Sequence, residues 1–208
     1  MQPPPLPRSP TDRKYRVLVV LACLATPLFL AWMVGVRAYV IAAGSMEDTL
    51  QIGDRVLVET ITAHLGKFPE RGEVVAMNYP IDRRQRFFKR VVGIPGDRLR
   101  IVNKRLYRNG VAVAEPYARH KTDYVDAYRD NFPGEPNQLV LAPAAQMLND
   151  NVRDGELIVP PGKYFVLGDN RDLSLDSRYF GFISRGDIFG RPLLIYFSRS
   201  VDRIFRPL

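Results

Sequence analysis

A long apolar run opens the chain, and short apolar or alternating segments follow it. Val17 to Val36, VLVVLACLATPLFLAWMVGV, contains no charged residue. About 20 such positions are enough for a helix to cross a hydrocarbon core of roughly 30 Å. Pro27 removes one backbone hydrogen bond, which spanning helices tolerate, and Trp32 and Tyr39 suit a membrane interface. The pattern predicts a single transmembrane helix over 17–36. Arg8, Arg13, Lys14 and Arg16 against the lone Asp12 orient it, placing a Pro-rich tail, 1–16, in the cytoplasm and residues 38–208 outside it. This expectation is a single-pass protein of an inner or plasma membrane, its larger domain periplasmic if the cell is Gram-negative. A removable signal peptide is the competing reading, but the run exceeds the roughly 7–15 apolar residues of such peptides.

Beyond Ile41 the periodicity changes to that of strands. Residues 55–59, 73–77, 87–94, 99–102, 139–141, 157–159, 164–167 and 193–197 are short apolar or alternating runs broken by Gly, Pro, Asp and Asn, the pattern of strands joined by turns. The expected fold is mainly β, a barrel-like or sandwich-like domain following the helix. Its core is expected at 41–98 and 161–208, with an inserted, less regular region at about 99–160. Within that region 120–137 is polar, aromatic and turn-rich, and no chemistry is assigned to it.

Composition narrows the chemistry. The 208 residues include one Cys and two His. Cys23 lies inside the apolar run, and His64 and His120 show no ligand spacing. A disulfide, a thiolate metal site and a His-based triad are therefore not expected, and neither a metal nor another cofactor is called for. Catalysis would have to use Ser, Lys or Asp. The formal net charge of +8 is densest at 83–90, RRQRFFKR. For a domain tethered beside a bilayer, membrane lipid headgroups are a simpler partner than nucleic acid, and no nucleic acid is expected.

Three segments carry candidate chemistry. Gly168 to Arg178, GDNRDLSLDSR, follows an apolar run and packs turn formers, hydroxyls and opposite charges together. Asp–Arg pairing and Asx-type bonds can order such a network around a reactive group. In Arg86 to Val92, alternation puts Phe87, Lys89 and Val91 on one face. If that face is the core, burial and neighbouring cations lower the Lys89 pKa and favour a neutral, basic amine. Ser45 follows Gly44, whose lack of a side chain admits another chain, nine residues after Val36.

Taken together, these segments resemble the type I signal peptidase family of membrane-anchored serine–lysine endopeptidases. Gly44 to Leu50, Gly53-Asp54, Arg71 to Val75, Lys89 to Asp97 and Gly168 to Gly181 match its motifs in order. The resemblance implies that Ser45 is the nucleophile, its backbone N–H an oxyanion donor, and Lys89 the general base. It further implies that Ser174 orients the Lys89 amine, and that Asp176 and Arg178 pair to brace the loop. Substrate-binding residues are not assigned. The implied partners are exported preproteins with signal peptides, cut after small side chains; no oligomeric state is implied. Asp48 stands where the family usually has Pro, Leu173 where Asn is common, and Ala43 where many bacterial members have an oxyanion-donating Ser. Two alternatives stay open: a specialised precursor-processing peptidase of the same chemistry, and a catalytically inactive, membrane-anchored β-domain that binds exported chains.

Overall fold

A computed structural model of the protein describes residues 10–33, 35–205 and 208. The Pro-rich segment 1–9 lies outside the described residues, as do the side chains of Trp32 and His64. Helix α1 (Pro10–Met33) occupies the start. Among the described residues no helix is long and apolar enough to cross a membrane, which corrects the expectation of a transmembrane helix over 17–36. The physical reason lies at both ends of that run. Because α1 begins at Pro10, Asp12, Arg13, Lys14 and Arg16 form its first turns, leaving Val17 to Met33 as the apolar part. At about 1.5 Å per residue that part spans roughly 25 Å, short of a core of about 30 Å. Val36 then opens a strand rather than closing the helix. The single-pass location, with a cytoplasmic N-terminus and an extracytoplasmic catalytic domain, loses its basis with the helix.

The strands are β1 (Val36–Val40), β2 (Arg55–Glu59), β3 (Val74–Asn78), β4 (Arg86–Gly93), β5 (Arg98–Val102), β6 (Arg105–Arg108), β7 (Val111–Ala112), β8 (Val152–Arg153), β9 (Glu156–Ile158), β10 (Lys163–Leu167), β11 (Ile183–Ser184) and β12 (Ile188–Phe197). Short helices α2 (Ile61–His64), α3 (Ala142–Asn149) and α4 (Ser177–Phe180) interrupt them. One sheet runs β1-β2-β12-β3-β4-β10-β11 and a second runs β7-β6-β5-β9-β8. The expected β architecture is therefore present, and the strands expected at 99–102 and 157–159 belong to a separate five-stranded sheet within 98–158. The 139–141 run is not a strand; it leads into α3.

Alternation along the strands builds the apolar interior. Val56, Val58, Val74, Ala76 and Ile195 pack with Ile41, Met46 and Leu50 on one side of the larger sheet. Val75, Met77, Val91, Tyr164, Val166, Phe180, Ile183 and Ile188 pack on the other. A third cluster joins Leu99, Ile101, Leu106 and Leu157 of the smaller sheet to Phe165, Phe182, Tyr128 and Phe132. Tyr128 and Phe132 come from the polar, turn-rich stretch, which they pin down as an edge-to-face pair 5.7 Å apart.

Strand β4 positions the site. β3 pairs with it from Arg86 to Arg90, whereas β10 pairs only with Arg90, Val91 and Gly93. The edge of β4 from Arg86 to Lys89 that faces away from β3 is therefore free of a strand among the described residues. Beyond Leu167 the chain leaves β4 as the polar loop, and β1 delivers Ser45 opposite it.

Candidate active site

Ser45 sits in a 3-10 turn, Gly44–Met46, which buried Met46 anchors in the core. Backbone bonds from Ile41 N–H to Asp54 O (2.9 Å) and from Gly53 N–H to Ile41 O (2.8 Å) close the base of this serine-bearing segment. Lys89 lies across the cleft on β4, opposite Val75 on β3. Its Nζ is 2.6 Å from Ser45 Oγ. The side chain is 2% exposed, and burial drops its pKa to about 8 from an ordinary 10.5. The Asp176 carboxylate opposes this shift, the Arg178 guanidinium adds to it, and Asp169 opposes it again.

The polar loop wraps the back of this pair. Arg178 grips both Asp176 oxygens (Nε 2.9 Å, Nη2 2.7 Å) with both groups buried. Asp176 also accepts from the Gly168 N–H at 3.1 Å. Arg178 donates to Arg171 O and Arg129 O, and Tyr128 Oη donates to Arg178 O, so the buried ions are paired with each other and with backbone groups. Nearer the serine, Asn170 N–H donates to Ser45 O (3.1 Å) and Asn170 Nδ2 to Gly44 O (3.0 Å). Ser174 Oγ is buried without a hydrogen-bond partner among the described residues. It lies close enough to Asp176 to help hold that carboxyl below its ordinary pKa, though burial opposes this and Arg178 is the main lowering partner. No Ser174–Lys89 bond is present in this arrangement.

Residues within the matched motifs and two from outside them, Arg119 and Arg203, complete the site. Arg90 takes Asp169 bidentately (2.8 and 2.5 Å) and reaches Gly72 O, while Thr49 Oγ1 donates to the same carboxylate at 2.6 Å. Arg203 donates to Asp48 O, Thr49 O and Asp54. Asp48, the residue found in place of Pro, accepts from Arg119 Nε at 2.9 Å. The 83–90 basic run is not a free cationic face: Arg83 meets Asp187, Arg84 meets Asp82, and Arg86 lies over the rings of Tyr39 and Phe189. Lys89 and Arg90 turn to Ser45 and Asp169.

A cleft of about 450 Å³ runs from Ser45 and Lys89 between the 39–46 segment and residues 85–89. Ala42, Ala43, Phe87 and Phe88 line it, and Leu173 and Leu175, exposed on either side of Ser174, form a further wall. Donor atoms of His120, Asp130 and Asp172 lie within 4.8 Å of one another. Those carboxylates already receive Arg129, Lys104 and Thr122.

A buried lysine amine lies on a serine hydroxyl at the end of an apolar cleft, beside a strand edge left unpaired among the described residues, an arrangement that suits a serine hydrolase acting on extended chains. A model of the family described as signal peptidase, peptidase S26, matches residues 13–197. Over 179 residues the chain is 35% identical to "Probable signal peptidase I-2" of Synechocystis sp., covering 81% of this chain and 67% of that one. It is 33% identical to "Signal peptidase I U" of Bacillus subtilis, covering 89% of each. A crystal structure of a signal peptidase I from Enterococcus faecalis is 32% identical with a TM-score of 0.43, covering 60% of this chain and 97% of that one. The chain belongs to the signal peptidase family, peptidase S26. Its activity is that of a type I signal peptidase, a serine endopeptidase.

Proposed function

We propose that this chain removes signal peptides from exported preproteins through a Ser45–Lys89 dyad. Neutral Lys89 takes the Ser45 proton, and Ser45 Oγ attacks the scissile carbonyl to form a tetrahedral oxyanion beside the Ser45 N–H. Collapse breaks the C–N bond as the Lys89 ammonium protonates the departing amine. Water, deprotonated by Lys89, then releases the acyl group and restores the serine. The observation that carries this reading is the 2.6 Å Lys89–Ser45 contact made by a buried amine with a lowered pKa.

Asp176 and Arg178 brace the loop behind the dyad. Ser174 is the group that steadies the Lys89 amine, its hydroxyl being buried and without a hydrogen-bond partner among the described residues. The preprotein lies extended along the free edge of β4, adding main-chain bonds as a further strand. Side-chain space near the serine is bounded by Ala42, Ala43, Phe87 and Phe88, which favours small residues before the cut. Val40 and Phe197 flank Arg55 in the sheet and are exposed, as is Ile52 in the adjoining turn; this end of the sheet contacts membrane lipid.

The test incubates the full-length chain with a purified preprotein and sequences the new N-termini by mass spectrometry. Wild type is expected to cut once, after a small residue, and Ser45→Ala not at all. Unchanged cleavage in Ser45→Ala, or an intact precursor with wild type, contradicts the proposal.

A further inference from the structure

Residues 115–122 lie between the two halves of the site and contact both. The Arg119 N–H donates to Asp169 O (2.7 Å), and the Arg171 N–H donates to Arg119 O (2.9 Å), a parallel bridge that adds this segment to the polar loop. Glu115 takes Arg171 bidentately at 2.9 and 2.7 Å. Thr122 donates to Asp172 through both N–H and Oγ1, and His120 Nδ1 lies 3.2 Å from the same carboxylate. On the other side, Arg119 Nε reaches Asp48 at 2.9 Å while its Nη1 holds Pro116 O and Ala118 O. Lys121 Nζ pairs with Glu47. Glu47 and Asp48 follow Ser45 by two and three residues.

We propose that 115–122 is a strap that holds the nucleophile-bearing turn against the Ser174 loop, with Arg119 as a positioning residue for the reaction acting through Asp48. The proposal rests on the Ser45–Lys89 reading and deepens it. The backbone side of the strap is fixed to the polar loop by main-chain bonds. Its grip on the turn is electrostatic and open to solvent, since the Arg119 and Asp48 side chains are 46% and 56% exposed. Exposed pairs of this kind add little to global stability and are screened by salt. A small displacement of a nucleophile, however, costs far more in rate than in stability. The strap therefore acts on kcat, where Ser45 must be held in line with Lys89, and leaves KM and Tm nearly unchanged.

The test is a double-mutant cycle in the full-length chain, Asp48→Asn, Arg119→Ala and both together, read by preprotein cleavage and by amide hydrogen exchange. Each single variant is expected to lower kcat about tenfold, with Tm within a few degrees of wild type, and the double variant is expected to fall no further than either. Raising salt lowers kcat of wild type more than that of Arg119→Ala, in which the Lys121–Glu47 pair alone remains to be screened. Exchange quickens at the Glu47 and Leu50 amides, whose bonds to Gly44 O and Met46 O close the turn. Single effects that multiply in the double variant, or kcat unchanged in either single, overturn the proposal. So does unaltered exchange at Glu47 and Leu50. If wild type itself cleaves nothing, the dyad reading fails instead, and the exchange result alone decides whether the strap holds the turn.

Discussion

Gly168 lies so close to Ser45 that a Cβ at this position would come within 2.4 Å of Ser45 O and 2.2 Å of Ser174 Oγ. The polar loop can touch the serine turn only because residue 168 has no side chain. Gly168→Ala must push the turn and the loop apart, since one of the two opposing atoms is backbone. The expected outcome is a folded chain with kcat/KM reduced at least 100-fold, measured by preprotein cleavage alongside circular dichroism. Retained activity would show that the loop can yield without moving Ser45.

Burial of Lys89 is a cost to the fold that the site retains for its chemistry. The folded pKa is about 8 against 10.5, so the unfolded chain binds more protons between those values. The penalty is complete below about pH 8 and fades as pH rises towards 10.5. Lys89→Met is expected to stabilise the protein at pH 7 by on the order of 3 kcal/mol and to abolish cleavage. Denaturant titrations of both proteins at pH 7 and 10 check the size and the pH trend of the difference.

Asp176 and Arg178 are buried and satisfied by each other and by backbone groups. Removing one partner strands the other, so Arg178→Ala is expected to cost about 3–5 kcal/mol, read as a lower urea midpoint. The Asp176 pKa is held below its ordinary value despite burial, chiefly by Arg178. This contribution to stability is present above pH 4 and is lost as pH falls through the folded pKa. In Arg178→Ala that acid limb should shift to higher pH.

Ala43 lies extended on the cleft wall two residues before Ser45, where the family resemblance puts a hydroxyl. One oxyanion donor is worth on the order of 3 kcal/mol of transition-state stabilisation. Ala43→Ser is expected to raise kcat about tenfold or more with little change in KM, measured under saturating preprotein. A lower kcat would mean that another group already fills the donor position.

What could be read in the sequence divides along physical lines. Strand alternation marked 55–59, 87–94 and 164–167, and the density of Asp, Arg and Ser at 168–178 marked a built loop, because both are local patterns. That Ser45 and Lys89 share one site came from the family resemblance, since 44 residues separate them and no periodicity links them. Strand β1 is hidden because Val36 closes the apolar run, Arg37 breaks it and Tyr39 suits a membrane interface, which leaves no strand alternation to see. Strands β7 and β8 are two residues each, too short to show alternation, so the pattern marks 99–102 and 157–159 without the outer strands that complete their sheet. Helix α3 is hidden because it has only eight residues and follows directly on the apolar 139–141 run, which has the look of a strand. The apolar run itself misled: composition gave its length but not where the helix would begin and end. The Arg119–Asp48 contact spans 71 residues, and nothing local announces it.

The most direct test of the dyad is the pH dependence of acylation at Ser45 by a labelled serine-reactive inhibitor, followed by mass spectrometry in the full-length chain. A label on Ser45, with a rate that rises through a midpoint near pH 8 as Lys89 loses its proton, and that is absent in Lys89→Ala, is the expected result. A label on another residue, or a Ser45 rate that is independent of pH and of Lys89, would contradict it.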